Sequence, residues 1–316
     1  MTMRYLLVGL GNAGIAILNA LLEYKEIKSA KPKPVIILLR SESEGVDKIA
    51  TALERAKGGG VDFALLFTGF SNSNNSNISA AEILNDQKIK TLFIGILPAN
   101  RREEQEEIVS VYSSLEKLKA HVKSFIIVDN QRIAHHPNYK EFYPRYNRYI
   151  ASCLVDILAG IRVKDRANVS GAQSALLPIE EVVKALSFNA EPGYVAVSRS
   201  SELTKGLMGY IVPFTRHKPL DLRTLLRVSL EKFSVSDAPI VCDKSVCFLR
   251  VPDYYVRSGG VDKKLIEEFL LTYSKESHLA VSVTGRNTVA ITNLFVYKFE
   301  QLGRLRDIRG VAHEAI

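Results

Sequence analysis

Three glycines in Gly9-Leu10-Gly11-Asn12-Ala13-Gly14 follow an apolar run and precede a helical pattern. Glycines at this spacing permit a tight strand-to-helix turn, a close approach of backbone to phosphate, and exposure of the first N–H groups of a helix, which favour an anion. The implied ligand carries phosphate. A dinucleotide would also require an acid at the end of the second strand, and the chain has Leu39-Arg40-Ser41-Glu42 there. Arg40 suits the extra phosphate of NADP instead, which keeps an NADP-dependent Rossmann oxidoreductase as an alternative. Further along, Asn130 in Val128-Asp129-Asn130-Gln131-Arg132-Ile133 stands at a strand end, and Tyr143 and Asn147 lie four apart, on one face of a helix. An aromatic ring to stack on a base and two amides to read its edge, each able to donate and accept, make a purine pocket.

Other chemistries find less support. The cysteines Cys153, Cys242 and Cys247 form no CxxC pair and no disulfide framework, so each reads as a small buried hydrophobe and the cytoplasm is the expected compartment. His135-His136 precedes Pro137 without neighbouring ligands, so no metal site is expected. Lys+Arg exceeds Asp+Glu by 42 to 34, a formal charge of +8, but the charges are scattered and the stretch Arg101–Glu107 mixes both signs. No helix-turn-helix, zinc finger or basic stripe with interleaved aromatics is present, so nucleic acid is not an expected partner. No apolar run reaches the roughly 20 residues of a membrane-spanning helix. Direct membrane insertion is not expected.

The elements that would position these residues follow from hydrophobic periodicity. Tyr5–Val8, Val35–Leu39, Phe63–Phe67, Thr91–Leu97 and Phe125–Val128 read as short buried strands. Helical patterns lie between them at Ile15–Tyr24, Gly45–Ala56, Ala80–Asp86 and Glu104–His121. This alternation predicts an α/β fold with a Rossmann-like parallel sheet, whose ligands bind outside the carboxyl ends of the strands. A long helix is expected over Tyr146–Ile161, a shorter one at Ile179–Leu186, and then strands at Tyr194–Ser198, Ile240–Val241, Val246–Val251, Leu279–Thr284 and Val289–Val296 with helices at Leu220–Phe233 and Lys263–Tyr273. The second half is thus a smaller α+β domain. The expected divisions are a nucleotide-binding domain over 1–145, the central helix and its connecting loop over 146–189, the α+β domain over 190–300, and a polar, basic segment over 301–316, a poorly ordered tail or a docking arm.

Together these residues resemble the tubulin/FtsZ superfamily, in a divergent form of the archaeal FtsZ/CetZ type. Gly9, Gly11, Asn12, Ala13 and Gly14 match the family's first glycine-rich turn, Asn130 its loop asparagine, and Tyr143 with Asn147 its base-contacting pair, in a Tyr-x-x-x-Asn form closer to tubulin than to FtsZ. Gly95-Ile96-Leu97-Pro98 followed by Arg101–Glu104 looks like the ribose loop, where Glu103 or Glu104 would be the acid. The resemblance implies GTP or GDP as ligand, with Mg2+ as the accompanying ion. It also implies head-to-tail self-association into filaments and a cytoskeletal or cell-division role.

The chain departs from the family in two places. The glycine-rich phosphate loop is replaced by Ser71–Asn77, so Ser73, Asn74 and Asn75 become the candidate phosphate contacts. Asn tolerates left-handed backbone better than other non-glycine residues, and Ser offers a hydroxyl. The family's water-positioning acids follow the central helix. One alignment sets Asn168–Gln173 there and loses both acids; the favoured one sets Leu176–Glu181 there and keeps Glu181 as the candidate catalytic acid. A weak or absent GTPase is the expectation. A nucleotide-free relative acting by assembly is the further alternative, supported by the Ser71–Asn77 replacement.

Overall fold

The computed structural model describes residues 3–40, 47–51, 60–70, 76–99, 105–163, 175–205 and 218–315. Among them the first half alternates strand and helix: β1 Tyr5–Leu10, α1 Gly11–Leu22, α2 Lys25–Lys28, β2 Val35–Leu39, β3 Phe63–Gly69, α3 Ser76–Asp86, β4 Lys90–Leu97, α4 Gln105–Leu118 and β5 Ser124–Asp129. A long helix α5 follows over Tyr139–Gly160, then β6 Ile161–Arg162, β7 Leu177–Pro178 and α6 Ile179–Ala185. The remainder is β8 Gly193–Leu203, α7 Leu222–Leu230, β9 Cys242–Pro252, α8 Asp253–Arg257, α9 Lys263–Tyr273, β10 Ser274–Thr284, β11 Thr288–Tyr297 and α10 Gly303–Glu314.

Nine strands share one sheet in the order β10-β9-β11-β8-β5-β4-β3-β1-β2. β1 to β5 are mutually parallel, and β8 joins them by pairing parallel to β5 through Ser124–Ile127 against Gly193–Ala196. β11 runs antiparallel to both of its neighbours, β8 and β9. The central strands are buried on both faces, as parallel strands covered by crossover helices must be. Alternate residues therefore feed two layers. Tyr5, Leu7, Phe67, Ile94 and Ile126 point toward α1 and α5, while Leu6, Val8, Leu66, Phe93 and Phe125 point toward α3, α4 and α10. A third cluster packs α7 and α9 on the far end of the sheet, against Leu249, Val281 and Ile291.

The sequence expectations shift at several boundaries. α1 begins at Gly11 rather than Ile15, because the glycine segment itself turns directly from strand to helix. α5 begins at Tyr139 rather than Tyr146, with Pro144 accommodated inside it. Ile240 and Val241 are 51% and 63% exposed and precede the strand, which starts at Cys242. β10 extends back to Ser274, its first half being mostly solvent-facing at the sheet edge. Residues expected as a tail or docking arm fold as α10, docked on α4. Most of the expected helix Gly45–Ala56 and the stretch Asn168–Gln173 lie outside the described residues.

A buried ion network ties the two halves across α5. Asp156 accepts from Arg199 Nε at 2.7 Å and from Thr292 Oγ1 at 2.9 Å, and lies 3.5 Å from Arg250. Arg250 in turn donates to Glu26 of α2 at 2.7 Å, and Arg286 donates to the other Glu26 oxygen at 2.8 Å. Asp156 is 1% exposed, so its charge is offset by these partners rather than by water.

Candidate functional site

The strand order reverses at β1, whose sequence neighbour β2 lies on one side and β3 on the other, so the crevice at the carboxyl ends of β1 and β3 is the topological position for a ligand. The glycines fill distinct roles there. Gly11 has φ +64°, the left-handed conformation that a side chain disfavours. Gly14 sits so close to β3 that a Cβ would stand 2.3 Å from the Phe67 carbonyl oxygen. The two together turn the chain sharply and seat the amino end of α1 on the neighbouring strand. Leu10 caps that end without a side-chain hydrogen bond, and the first turn carries no acid. Among the described residues no side chain caps its leading N–H groups, which lie at the positive end of the helix dipole.

The other strand ends contribute in turn. β3 ends at Gly69 and Phe70 follows it; Phe70 is buried against Phe93 at 5.9 Å, in space that a Cβ on Gly95 would occupy. Ser73, Asn74 and Asn75 lie outside the described residues, as do Glu103 and Glu104. One residue of the serine–asparagine stretch is informative. Asn77, in the first turn of α3, is 2% exposed and its Oδ1 is buried without a hydrogen-bond partner. The unpaired atom is the amide oxygen, a buried acceptor at the start of α3. Asn77 was singled out in the sequence only as the last member of that stretch.

β5 ends at Asp129, and Asn130 opens a 3-10 turn over Asn130–Arg132. Asn130 is half-buried, as are Tyr143 and Asn147 in α5. Tyr143 packs against Tyr139 with ring centroids 5.8 Å apart, and it borders the same apolar cluster as Ala13 of α1. Gly9, Gly11, Asn12, Ala13, Gly14, Asn130 and the first turns of α5 thus belong to one pole of the sheet. Arg40, the residue expected to serve NADP, is exposed just past β2.

The residue that organises the loop after β5 is Asp129, which sequence reading passed over for its neighbour Asn130. Fully buried, its Oδ1 accepts from the Gln131 N–H at 3.0 Å, and its Oδ2 accepts from the Ser236 N–H at 3.0 Å. Arg304 of α10 donates from Nε to Asp129 Oδ1 at 3.1 Å and, from a terminal nitrogen, to the Pro98 carbonyl. The Tyr146 hydroxyl donates to the carbonyls of Asp129, at 3.2 Å, and Ser234, at 2.9 Å. Burial raises the Tyr146 pKa far out of reach, so it remains a donor at every working pH. The only sequence signal was an acid closing an otherwise apolar strand.

Glu181 lies elsewhere. It is exposed on α6, which packs near the amino-terminal end of β4, where Val183 lines a cleft of about 180 Å³ with Lys88, Lys90, His121 and Lys123. That is the pole opposite the glycine turn. Among the described residues no group of three or more His, Cys, Asp or Glu side chains could hold a metal ion, and no helix is long and apolar enough to cross a membrane.

No protein-family profile and no curated protein sequence matches the chain. Solved structures do. CetZ2 from Haloferax volcanii, in a GTPγS-bound protofilament, superposes with a TM-score of 0.68 at 16% identity over 99% of this chain and 98% of that one. CetZ1 from the same organism, a GDP-bound monomer, gives 0.70 at 14% identity over 99% of both chains. An empty FtsZ dimer from M. jannaschii gives 0.59 at 13% identity over 94% of this chain and 88% of that one. The fold is that of the tubulin/FtsZ superfamily, CetZ-like, along nearly the whole chain.

Proposed function

We propose that this chain, which has the tubulin/FtsZ fold, binds a guanine nucleotide at the glycine-turn pole and self-associates head to tail, with weak or no GTPase activity. The observation that carries the reading is the uncapped amino end of α1, seated on β3 through Gly14 and turned by the left-handed Gly11. Gly9, Gly11, Asn12, Ala13 and Gly14 would receive phosphate through backbone N–H groups. Ser73, Asn74 and Asn75 would complete that end, with Mg2+ on the phosphates. Glu103 would meet the ribose. Tyr143 would stack on the base while Asn130 and Asn147 read its edge, and neither amide has a side-chain hydrogen bond among the described residues. The likeness to the GTPγS-bound CetZ2 and GDP-bound CetZ1 structures supports this choice of ligand.

Glu181 is at the far pole of the same molecule, so it serves hydrolysis only by reaching a neighbour's nucleotide. Contact of one pole with the opposite pole of the next copy is heterologous, and propagates as a filament when the rotation does not close. The filament and its cytoskeletal or cell-division role rest on this geometry and on the protofilament of the CetZ2 structure. In the favoured alignment Glu181 is kept without the family's Asn and first Asp, which supports slow turnover at most.

The test is to denature freshly purified protein, identify any released nucleotide by chromatography, and titrate the emptied protein with GDP and GTP by calorimetry. Release of GDP or GTP, or saturable binding of either, is expected. Absence of both would sink the reading, and protection from thermal unfolding by NADPH alone would transfer the glycine turn to an oxidoreductase using Arg40. Light scattering with GTP present then reads assembly.

A further inference from the structure

Arg304 is the largest side chain buried to within 2% of full burial among the described residues, and it occupies the first turn of α10. Both placements are unfavourable for a cation. The helix amino terminus presents like charge, and a buried guanidinium loses its hydration. The offsetting contacts all lie at the carboxyl ends of β4 and β5. Arg304 Nε donates to Asp129 Oδ1 at 3.1 Å, and a terminal nitrogen donates to the Pro98 carbonyl. Asp129 is the last residue of β5 and caps the turn that bears Asn130. Pro98 follows β4 and leads to the segment that carries Glu103. One guanidinium therefore holds together the roots of two loops, one assigned to the base and one to the ribose.

Elsewhere on α10, Arg309 pairs with Glu300 just before the helix, and among the described residues no other polar side chain of α10 is bonded to the strand ends. Leu305 and Ile308 pack in one cluster with Ile108, Val111 and Leu115 of α4, and the His313 and Tyr112 rings lie 5.6 Å apart. These contacts dock the helix; Arg304 alone carries the docking inward to the strand ends.

We propose that Arg304 is a positioning residue through which the docking of α10 sets the spacing of the base and ribose loops, and with it the affinity for guanine nucleotide. The proposal rests on the guanine-nucleotide reading above. A rigid fork is needed to reach a carboxylate and a carbonyl at once, which a lysine ammonium on a flexible stem does not reproduce. Coupling of this kind is reciprocal, so bound nucleotide must in turn hold α10 more firmly.

The experiment uses the full chain, as wild type, Arg304→Lys and Arg304→Met, each titrated with GDP by calorimetry after its fold is verified by circular dichroism. Amide hydrogen exchange over 303–314 is followed in the wild type with and without GDP. A loss of at least tenfold in GDP affinity is expected for Arg304→Met, a smaller loss for Arg304→Lys, and slower exchange of α10 when GDP is bound. Wild-type affinity in Arg304→Met with only a lowered melting temperature would overturn the proposal and leave Arg304 a structural residue. Should Arg304→Met fail to fold, the wild-type exchange decides: unchanged α10 protection on GDP binding overturns the coupling, and slowed exchange supports it. A wild type that binds no guanine nucleotide overturns the parent reading, and the coupling falls with it, a result distinguishable from the others because it precedes any substitution.

Discussion

Replacing Gly14 by alanine adds one methyl group where the seating of α1 on β3 leaves no room for it. The new Cβ would lie 2.3 Å from the Phe67 carbonyl oxygen, 2.7 Å from its carbon and 3.1 Å from the Thr68 nitrogen. All three are backbone atoms of β3, which is hydrogen-bonded on both sides and cannot rotate away. Helix α1 must therefore retreat by roughly 1 Å to restore ordinary contact. Overpacking of this kind costs about 1–3 kcal/mol, against which alanine's helix preference returns about 1 kcal/mol. With an unyielding obstacle the net loss is about 1–2 kcal/mol, a fall of about 2–6 °C in melting temperature for a chain of this size. The control is Gly310→Ala in α10, exposed and with no atom within 4 Å of its new Cβ, which should gain up to about 1 kcal/mol. Calorimetric melting of the two variants beside the wild type reads the difference in sign. If Gly14→Ala is as stable as Gly310→Ala, the close seating of α1 on β3 is wrong, and with it the account of the phosphate end.

Three further outcomes are expected. Asp156→Ala leaves Arg199 and Arg250 facing each other in a buried space and should cost about 3–5 kcal/mol in urea unfolding; a loss below about 1 kcal/mol would mean that water reaches the network. Burial pushes the Cys153 and Cys242 thiols up to about 12 and Cys247 further still. A thiol-specific chromogenic reagent at pH 8 should therefore titrate none of the three in native protein and all three after denaturation. Burial raises the Glu26 pKa, but the hydrogen bond and charge of Arg250, with the charge of Arg286, outweigh it and leave the carboxyl below its ordinary value. The stability it contributes is then present above the unfolded-state pKa and lost as pH falls through the folded one. Glu26→Gln should be less stable than wild type near neutral pH, with the gap closing in acid; a gap independent of pH would remove the charge from the explanation.

The inner parallel strands were legible because they are buried on both faces: Phe63, Thr91 and Phe125 fall at or within one residue of strand starts. The edge strand Val35–Leu39 forms as read from its apolar run, although Ile36 and Leu38 are exposed. Lys263–Tyr273 forms as expected because its apolar residues keep helical spacing between an aspartate cap and the next strand. Legibility failed where tertiary contacts decide. The first two turns of α5 are polar and contain Pro144, so sequence placed the start of the helix after them. α10 hid its apolar face, Leu305, Ile308 and Ala312, among five charged residues, and no local pattern announces that Arg304 points inward. In the site, glycine spacing gave the turn, whereas Asp129 and Asn77 matter through what surrounds them in space. The Ser73–Asn75 and Glu103 assignments depend on side chains outside the described residues and stand on sequence alone.

The pairing of β5 with β8 has a mechanical consequence. Backbone hydrogen bonds run from β2 to β10, so the two halves of the molecule share one elastic plate. Rotating one half against the other would strip the short Ser124–Ile127 ladder, and the Asp129 and Ser234 bonds beyond it, before any helix could slide. Torque applied at the glycine-turn pole thus reaches the far edge through inter-strand hydrogen bonds, alongside the packing of α5 and its Asp156 network. A copy under load in a row would deflect by twisting the whole sheet, with that narrow strip of ladder as its backbone link.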